Sequence, residues 1–216
     1  MEVRSLSLDI SPSAGKVSAE YIIPDNNTGI FTLAHGAGAG MNHNFMISLA
    51  KALALSGIAS LRFNFPFIEQ KKRRPDLPAV AHKTIETAVA DAKRSFPKLP
   101  LYLSGKSFGG RMSSQFLAAK SDPDVKGIIF FGFPLHPVGK PATERADHLK
   151  NIEVPMLFLQ GTRDELATLE LIEQVCSSLK TATLVKIEGA DHSFKAGKKE
   201  IIPILVEEAK KWMDKH

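Results

Sequence analysis

The sequence contains very little cysteine: its 216 residues include one, Cys176. An internal disulfide and a cysteine-rich metal site are therefore excluded, and the helical pattern around Cys176 predicts a plain buried or half-buried thiol. Long apolar runs are also missing, since the longest are no longer than a strand, so no segment is expected to span a bilayer. The N-terminal residues lack the continuous apolar stretch of a signal peptide. Together these absences favour a cytoplasmic protein, and we expect neither a metal nor a cofactor.

Positive charge is in small excess over negative charge. The chain has 28 lysine and arginine residues against 23 aspartate and glutamate residues, a net charge of +5. The one conspicuous basic cluster is Lys71–Arg74, and a run of this length is usually a solvated loop. Nucleic-acid binding would need a larger basic face, interleaved aromatic side chains or a known reader motif. We therefore expect no nucleic-acid partner and no membrane association.

The sequence contains two kinds of strand pattern, and the second kind alternates with helical patterns. Residues 3–10 and 17–23 have the alternation typical of a hairpin, and amphipathic stripes in the later sequence predict five helices. Six short segments are apolar throughout, as in strands buried on both faces of a parallel sheet: Ile30–Ala34, Ile58–Phe63, Leu99–Leu103, Ile128–Phe133, Pro155–Leu159 and Ala182–Ile187. The sequence therefore predicts one α/β domain over residues 1–216, with a doubly wound, mostly parallel sheet of about eight strands.

One motif follows the strand that is predicted to end at Leu103. Residues 105–109 read Gly-Lys-Ser-Phe-Gly, and a Gly-x-Ser-x-Gly turn between a strand and a helix can expose its serine, here Ser107, as a nucleophile. A serine hydroxyl needs a base, a group that orients the base, and donors for the oxyanion that forms. In an open α/β sheet, functional loops lie beyond the carboxyl ends of the strands.

Two loops at that edge offer the base and the orienting acid. His192 follows the last predicted strand and suits proton transfer near neutral pH. Asp164 follows the preceding strand, where its carboxylate can accept the histidine Nδ1–H. Taken alone, His192 is also compatible with a surface turn and Asp164 with a helix N-cap. Glu165 and Asp191 are rival acids, although Asp191 adjoins the histidine and is expected to point away from it.

Two backbone amides are candidates for the oxyanion donors. One belongs to Phe108, the residue after the nucleophile, and the other to Ala37 in the glycine-rich run 35–40. The glycines of that run allow the backbone to turn tightly and approach a substrate. A flexible connection is one alternative. A dinucleotide-binding loop is another, but it requires an acidic residue at the end of the next strand, where residues 61–64 read Leu-Arg-Phe-Asn.

The chain resembles the α/β-hydrolase superfamily over its full length. The order Ser107, Asp164, His192, each after a different strand, is the order of that family. More narrowly, residues 61–66, 105–111 and 133–137 are similar to the branch that contains small bacterial dienelactone-hydrolase-like proteins, a testis-expressed protein and a subunit of the NSL histone-acetyltransferase complex.

The resemblance implies an α/β-hydrolase fold and a serine hydrolase that acts on an ester, or a related acyl bond, of a small soluble substrate. True dienelactone hydrolases have a cysteine where this chain has Ser107, so their substrate is not carried over. A non-catalytic interaction or scaffold protein is the alternative, because folds do not fix functions.

The surroundings of the nucleophile are expected to be open and cationic. Residues 133–155 have room for one short helix and not for a large cap domain. Lys71–Arg74, Lys106 and Arg111 are predicted to form a cationic rim that favours an anionic ester, the alternative being that they are solubilising charges. His136 is expected either to line the site or to pack its loop. The sequence leaves open the oligomeric state and any protein partner.

Overall fold

An eight-stranded sheet forms the centre of the protein in a computed structural model that describes all 216 residues. The strands are β1 (Glu2–Ser11), β2 (Gly15–Ile23), β3 (Gly29–Ala34), β4 (Ile58–Phe63), β5 (Leu101–Lys106), β6 (Val125–Phe131), β7 (Met156–Gly161) and β8 (Ala182–Ile187). Their order in the sheet is β1-β2-β4-β3-β5-β6-β7-β8. The β1–β2 and β2–β4 pairs are antiparallel, and every other pair is parallel. The predicted α/β fold is confirmed.

Helices cover both faces of this sheet. They are α1 (Asn44–Leu55), α2 (Pro66–Glu69), α3 (Pro78–Ser95), α4 (Phe108–Ala119), α5 (Leu169–Ser178) and α6 (Ile202–Met213), and a 3₁₀ helix covers Glu144–Asn151. One apolar cluster includes α3, α4 and α5, and a second includes α1 and α6. Successive strand residues enter different clusters, as Phe130 and Phe131 do, because side chains alternate between the faces of a strand. Burial on both sides explains why these strands are apolar throughout.

Two strands are displaced from their predicted positions. Strand β5 runs two to three residues later than expected, because its pairing with β6 continues to Lys106 beside Phe131. Strand β6 ends earlier than expected, where Gly132 takes a φ of 74°. Residues 64–81 have no clear periodicity and are expected to form a loop, but α2 lies within them and α3 begins there at Pro78. Proline at the first helical position lacks only an N–H that a helix start leaves unpaired.

The connection between β6 and β7 carries no large cap. It contains the 3₁₀ helix Glu144–Asn151, close to the short helix expected near residues 142–149. Ser114 of α4 and His148 Nε2 are 2.7 Å apart, so this short helix is fastened to α4 just beyond the nucleophile motif. None of the helices has both the length and the apolar character needed to cross a bilayer.

Candidate active site

Ser107 occupies a sharp turn between β5 and α4. Its φ of 51° and ψ of −116° are strained for a residue with a side chain. The flanking glycines are required by close packing: a Cβ on Gly105 would lie 2.4 Å from the Gly110 nitrogen, and one on Gly109 would lie 2.4 Å from the Ala34 oxygen. The backbone of strand, turn and helix is thus packed so closely that the Ser107 side chain is presented at the carboxyl edge of the sheet.

The structure brings Ser107, His192 and Asp164 into one hydrogen-bonded chain. His192 Nε2 lies 2.8 Å from Ser107 Oγ, and Nδ1 lies 2.7 Å from Asp164 Oδ2. Because a carboxylate only accepts, Nδ1 carries the proton and donates to Asp164. The Nε2 lone pair then accepts the Ser107 hydroxyl, which is the geometry that a general base requires.

Asp164 is buried and fixed by several donors. Its Oδ1 accepts the Leu166 N–H at 2.8 Å, and its Oδ2 also accepts Gln160 Nε2 at 2.6 Å. Gln160 in turn accepts the Phe133 N–H at 2.8 Å. Sequence reasoning missed Gln160, although a polar residue in the otherwise apolar strand Met156–Gly161 was a usable signal. This network fixes the carboxylate before any substrate arrives.

The alternative roles considered for the acids are not supported. Thr168, not Asp164, is the N-cap of α5, and Glu165 is exposed. Asp191 accepts the N–H groups of Ser193 and Lys195 at 2.8 and 2.9 Å. It therefore shapes the turn that carries His192 and does not touch the ring.

The Asp164 and His192 loops are in direct backbone contact. A Cβ on Gly161 would lie 2.3 Å from the Ala190 oxygen, and the Arg163 N–H donates to that same oxygen at 2.9 Å. Only glycine fits at position 161, so the contact fixes the separation between the acid and the base.

The two expected oxyanion donors belong to residues that line the second cleft described below together with Ser107. Phe108 is the first residue of α4, so its N–H has no carbonyl within the helix to bond, and the Ala37 N–H has no backbone acceptor. Gly36 lies against the nucleophile, since a Cβ there would be 3.7 Å from Ser107 Cβ. Both amides are therefore free to donate to a substrate oxygen at this position.

The Ala37 loop is held in place by buried polar side chains that sequence reasoning did not assign. His35 Nε2 accepts the Phe65 N–H at 3.0 Å, so Nδ1 carries the proton and donates to the Gly36 oxygen at 2.7 Å. Burial lowers the pKa of His35 to about 4, so its ring is neutral near pH 7. Beyond the glycines, Asn64 Oδ1 accepts the Met41 N–H at 2.8 Å and Arg62 Nη1 donates to the Met41 oxygen at 2.6 Å.

Two clefts meet at Ser107, and Ala37 and Leu166 line both. The first has a volume of about 390 Å³ and includes His192, Lys106 and apolar side chains of α1. The second has a volume of about 370 Å³ and includes Arg111 and Arg145. A substrate with its reacting carbon at Ser107 can therefore extend in two directions.

The predicted cationic rim is not present in the form expected. Lys71–Arg74 is exposed and lines neither cleft. Lys106 turns inward: its Nζ donates to the His192 oxygen at 2.6 Å and lies 5.3 Å from the centre of the Phe194 ring. Burial lowers the pKa of Lys106 to about 8. Arg111 does line a cleft beside Ser107, where it is joined by Arg145, which sequence reasoning missed.

His136 packs its own loop, the second of the two roles considered for it. It is buried, its Nδ1 lies 2.9 Å from the Pro137 oxygen, and its Nε2 accepts the Thr168 N–H at 2.9 Å. Both ring nitrogens are engaged, and the residue lines neither cleft.

Comparison with known proteins agrees with this architecture. A family model described as an alpha/beta hydrolase domain matches residues 27–203. The structure of dienelactone hydrolase from Anabaena variabilis is similar with a TM-score of 0.81 and 20% identity, covering 100% of this chain and 98% of that one. An alpha-beta serine hydrolase homologue from Coxiella burnetii has a TM-score of 0.77 and 22% identity, covering 95% and 96%. A serine hydrolase without a lid from Xanthomonas campestris has a TM-score of 0.76 and 22% identity, covering 98% and 95%.

Proposed function

We propose that this chain, which belongs to the alpha/beta hydrolase family, is a serine hydrolase that cleaves carboxylic esters of small soluble substrates. The observation that carries the proposal is the continuous hydrogen-bonded chain from Ser107 through His192 to Asp164, beside two amides without partners. Each group that an acyl-transfer site requires is present in one place.

The geometry supports a two-step reaction. His192 Nε2 takes the hydroxyl proton as Ser107 Oγ attacks the ester carbon, and the Ala37 and Phe108 amides stabilise the oxyanion. The tetrahedral intermediate collapses, the C–O bond to the alcohol breaks, and His192 returns the proton to the departing oxygen. Water then attacks the acyl-serine with His192 again as base, releasing the acid and restoring Ser107.

Labelling and mutation test this proposal together. A fluorophosphonate probe should label wild-type protein at Ser107, and Ser107→Ala should lose both labelling and turnover of short-chain and aryl esters. The expected loss is about three orders of magnitude or more. Ser193→Ala is the matched control, because Ser193 is exposed and lines the same cleft as His192 but makes no contact with the nucleophile. Absence of labelling at Ser107 in the native protein would contradict the proposal.

The narrower relationships belong to the same proposal. Residues 61–66, 105–111 and 133–137 support assignment to the dienelactone-hydrolase-like branch, and Ser107 argues against a dienelactone as the substrate. A stoichiometric protein partner, bound equally by wild type and Ser107→Ala in a chain without turnover, would instead favour the scaffold alternative. One domain over residues 1–216 and a cytoplasmic location remain our expectations.

A further inference from the structure

The second cleft contains two arginines without carboxylate partners. Arg4, Arg62 and Arg94 each pair with an acidic side chain. Arg111 and Arg145 form no such pair: the Arg145 side chain donates one hydrogen bond, to the Pro134 oxygen at 3.4 Å, and Arg111 Nε is buried without an acceptor. Two guanidinium groups therefore face a cleft that opens onto Ser107 with most of their donors unused.

The position of Arg111 is electrostatically unfavourable for the folded chain. It lies in the first turn of α4, at the positive end of the helix dipole, where an anion is preferred and a cation is not. Burial and the neighbouring charge of Arg145 both lower the pKa of Arg111. Local arrangements that oppose stability occur mainly at functional sites.

Arg145 is held beside Arg111 by the 3₁₀ helix Glu144–Asn151. The 3₁₀ helix that carries it is docked by the Ser114–His148 contact of 2.7 Å and by the buried side chains of Ala146 and Leu149. The cleft wall includes one carboxylate, Asp76, whose Oδ2 accepts the Phe67 N–H at 3.0 Å. Asp76 makes no ion pair with either arginine, so the charge of the pair is not neutralised from within the chain.

The proton transfer to the departing alcohol indicates which part of the ester lies in the second cleft. The departing alcohol oxygen must receive its proton from His192 Nε2, and His192 lines the first cleft and not the second. The alcohol therefore occupies the first cleft, and the acyl chain extends from the carbonyl carbon into the second.

We propose that Arg111 and Arg145 bind a carboxylate at the far end of the acyl group, so that half-esters of short dicarboxylic acids are preferred substrates. The planar guanidinium fork matches a carboxylate with two parallel hydrogen bonds. This inference rests on the proposed function, since it names the acyl group that Ser107 accepts.

The test compares anionic and neutral acyl groups on one leaving group. Monoethyl esters of malonic to adipic acid and ethyl esters of neutral acids of similar length are hydrolysed in a pH-stat, which reports kcat/KM for each. Wild type should favour the anionic series by about tenfold or more. The ratio of anionic to neutral kcat/KM should fall to about one in Arg111→Gln and in Arg145→Gln. Equal ratios in wild type and both variants would overturn the inference.

Two controls separate charge at this position from charge elsewhere. Arg73→Gln removes one positive charge from the exposed basic run and should leave the ratio unchanged. An ester of butanoic acid with glycolate places the carboxylate on the alcohol side, where the arginine variants should not alter kcat/KM relative to the neutral ester. If a glutamine variant fails to fold, Arg111→Lys and Arg145→Lys replace it, since lysine keeps the charge but loses the fork.

Failure of the inference is distinguishable from failure of the proposed function. If esters are hydrolysed but the ratio of anionic to neutral kcat/KM does not depend on Arg111 and Arg145, the carboxylate site is refuted and the proposed hydrolase function stands. If no ester is turned over, succinate binding is measured by calorimetry on wild type and both arginine variants. Binding that both variants lose supports the site without the reaction, and no binding by wild type overturns it.

Discussion

Replacing Lys106 by methionine should change how stability depends on pH. Lys106 Nζ is enclosed against the His192 oxygen and the Phe194 ring, and burial lowers its pKa from 10.5 to about 8, although Asp164 and Asp191 oppose the shift. At about 1.4 kcal/mol for each tenfold change in the protonation equilibrium, holding the ammonium charged in the folded state costs about 3 kcal/mol. Methionine fills similar space without that charge.

The sign of the effect follows from proton binding. Below pH 8 the folded and unfolded chains are both protonated at Lys106, and the cost is fully present. Between pH 8 and 10.5 the folded chain has released a proton that the unfolded chain still holds, so wild-type stability rises relative to the variant. The expected relative gain is about 3 kcal/mol across this window.

Urea denaturation at pH 7, 9 and 10.5 measures this gain as the difference between wild type and Lys106→Met. Groups common to both proteins cancel in that difference. Lys51→Met, which removes an exposed lysine from α1, is the matched control and should show no comparable change. Parallel pH curves for wild type and Lys106→Met would refute the buried ammonium.

Three further outcomes are expected. Asp164→Asn should lower kcat by about four orders of magnitude, because an amide can donate to His192 Nδ1 and so favour the wrong tautomer. Its helical circular dichroism should be unchanged. A near-normal kcat would exclude Asp164 as the orienting acid. Burial lowers the pKa of His35 to about 4, so this residue should contribute a loss of about 3 kcal/mol between pH 6.5 and 4. Urea denaturation should show that wild type loses about that much more than His35→Gln over this range, and equal losses would contradict a buried neutral ring. Gly161→Ala should lower both Tm and turnover, since its Cβ would lie 2.3 Å from the Ala190 oxygen; unchanged values in both assays would show that the two loops separate at no cost.

The sequence was sufficient to predict the sheet and the three residues of the hydrogen-bonded chain, for a definite physical reason. Parallel strands buried on both faces are continuously apolar, so they are visible in the sequence, and their carboxyl ends share one edge. Ser107, Asp164 and His192 could therefore be placed together from topology alone. The error of two to three residues in the bounds of β5 did no harm, because the alternation of side chains between the two faces does not depend on where the strand begins or ends.

The direction of individual side chains could not be predicted in the same way. The position of Lys106 in the sequence does not indicate whether its side chain faces solvent or the His192 loop. Its observed direction goes with contacts to the His192 oxygen and the Phe194 ring. Arg145 lines the cleft on a 3₁₀ helix that is docked by the Ser114–His148 contact and by buried Ala146 and Leu149. Such contacts join segments that have no periodic relation, so no local pattern reports them.

Features that oppose stability are concentrated at one edge of this sheet, and that distribution bears on the choice between enzyme and scaffold. The strained backbone of Ser107, the enclosed ammonium of Lys106 and the unpaired guanidinium of Arg111 all lie within a segment of six residues, 106–111. A strained backbone conformation alone costs about 1–3 kcal/mol. Mutation readily finds stabilising substitutions at positions that function does not constrain, so a scaffold whose partner bound elsewhere would have no reason to keep three such features together. Their concentration around the nucleophile favours a site maintained for catalysis.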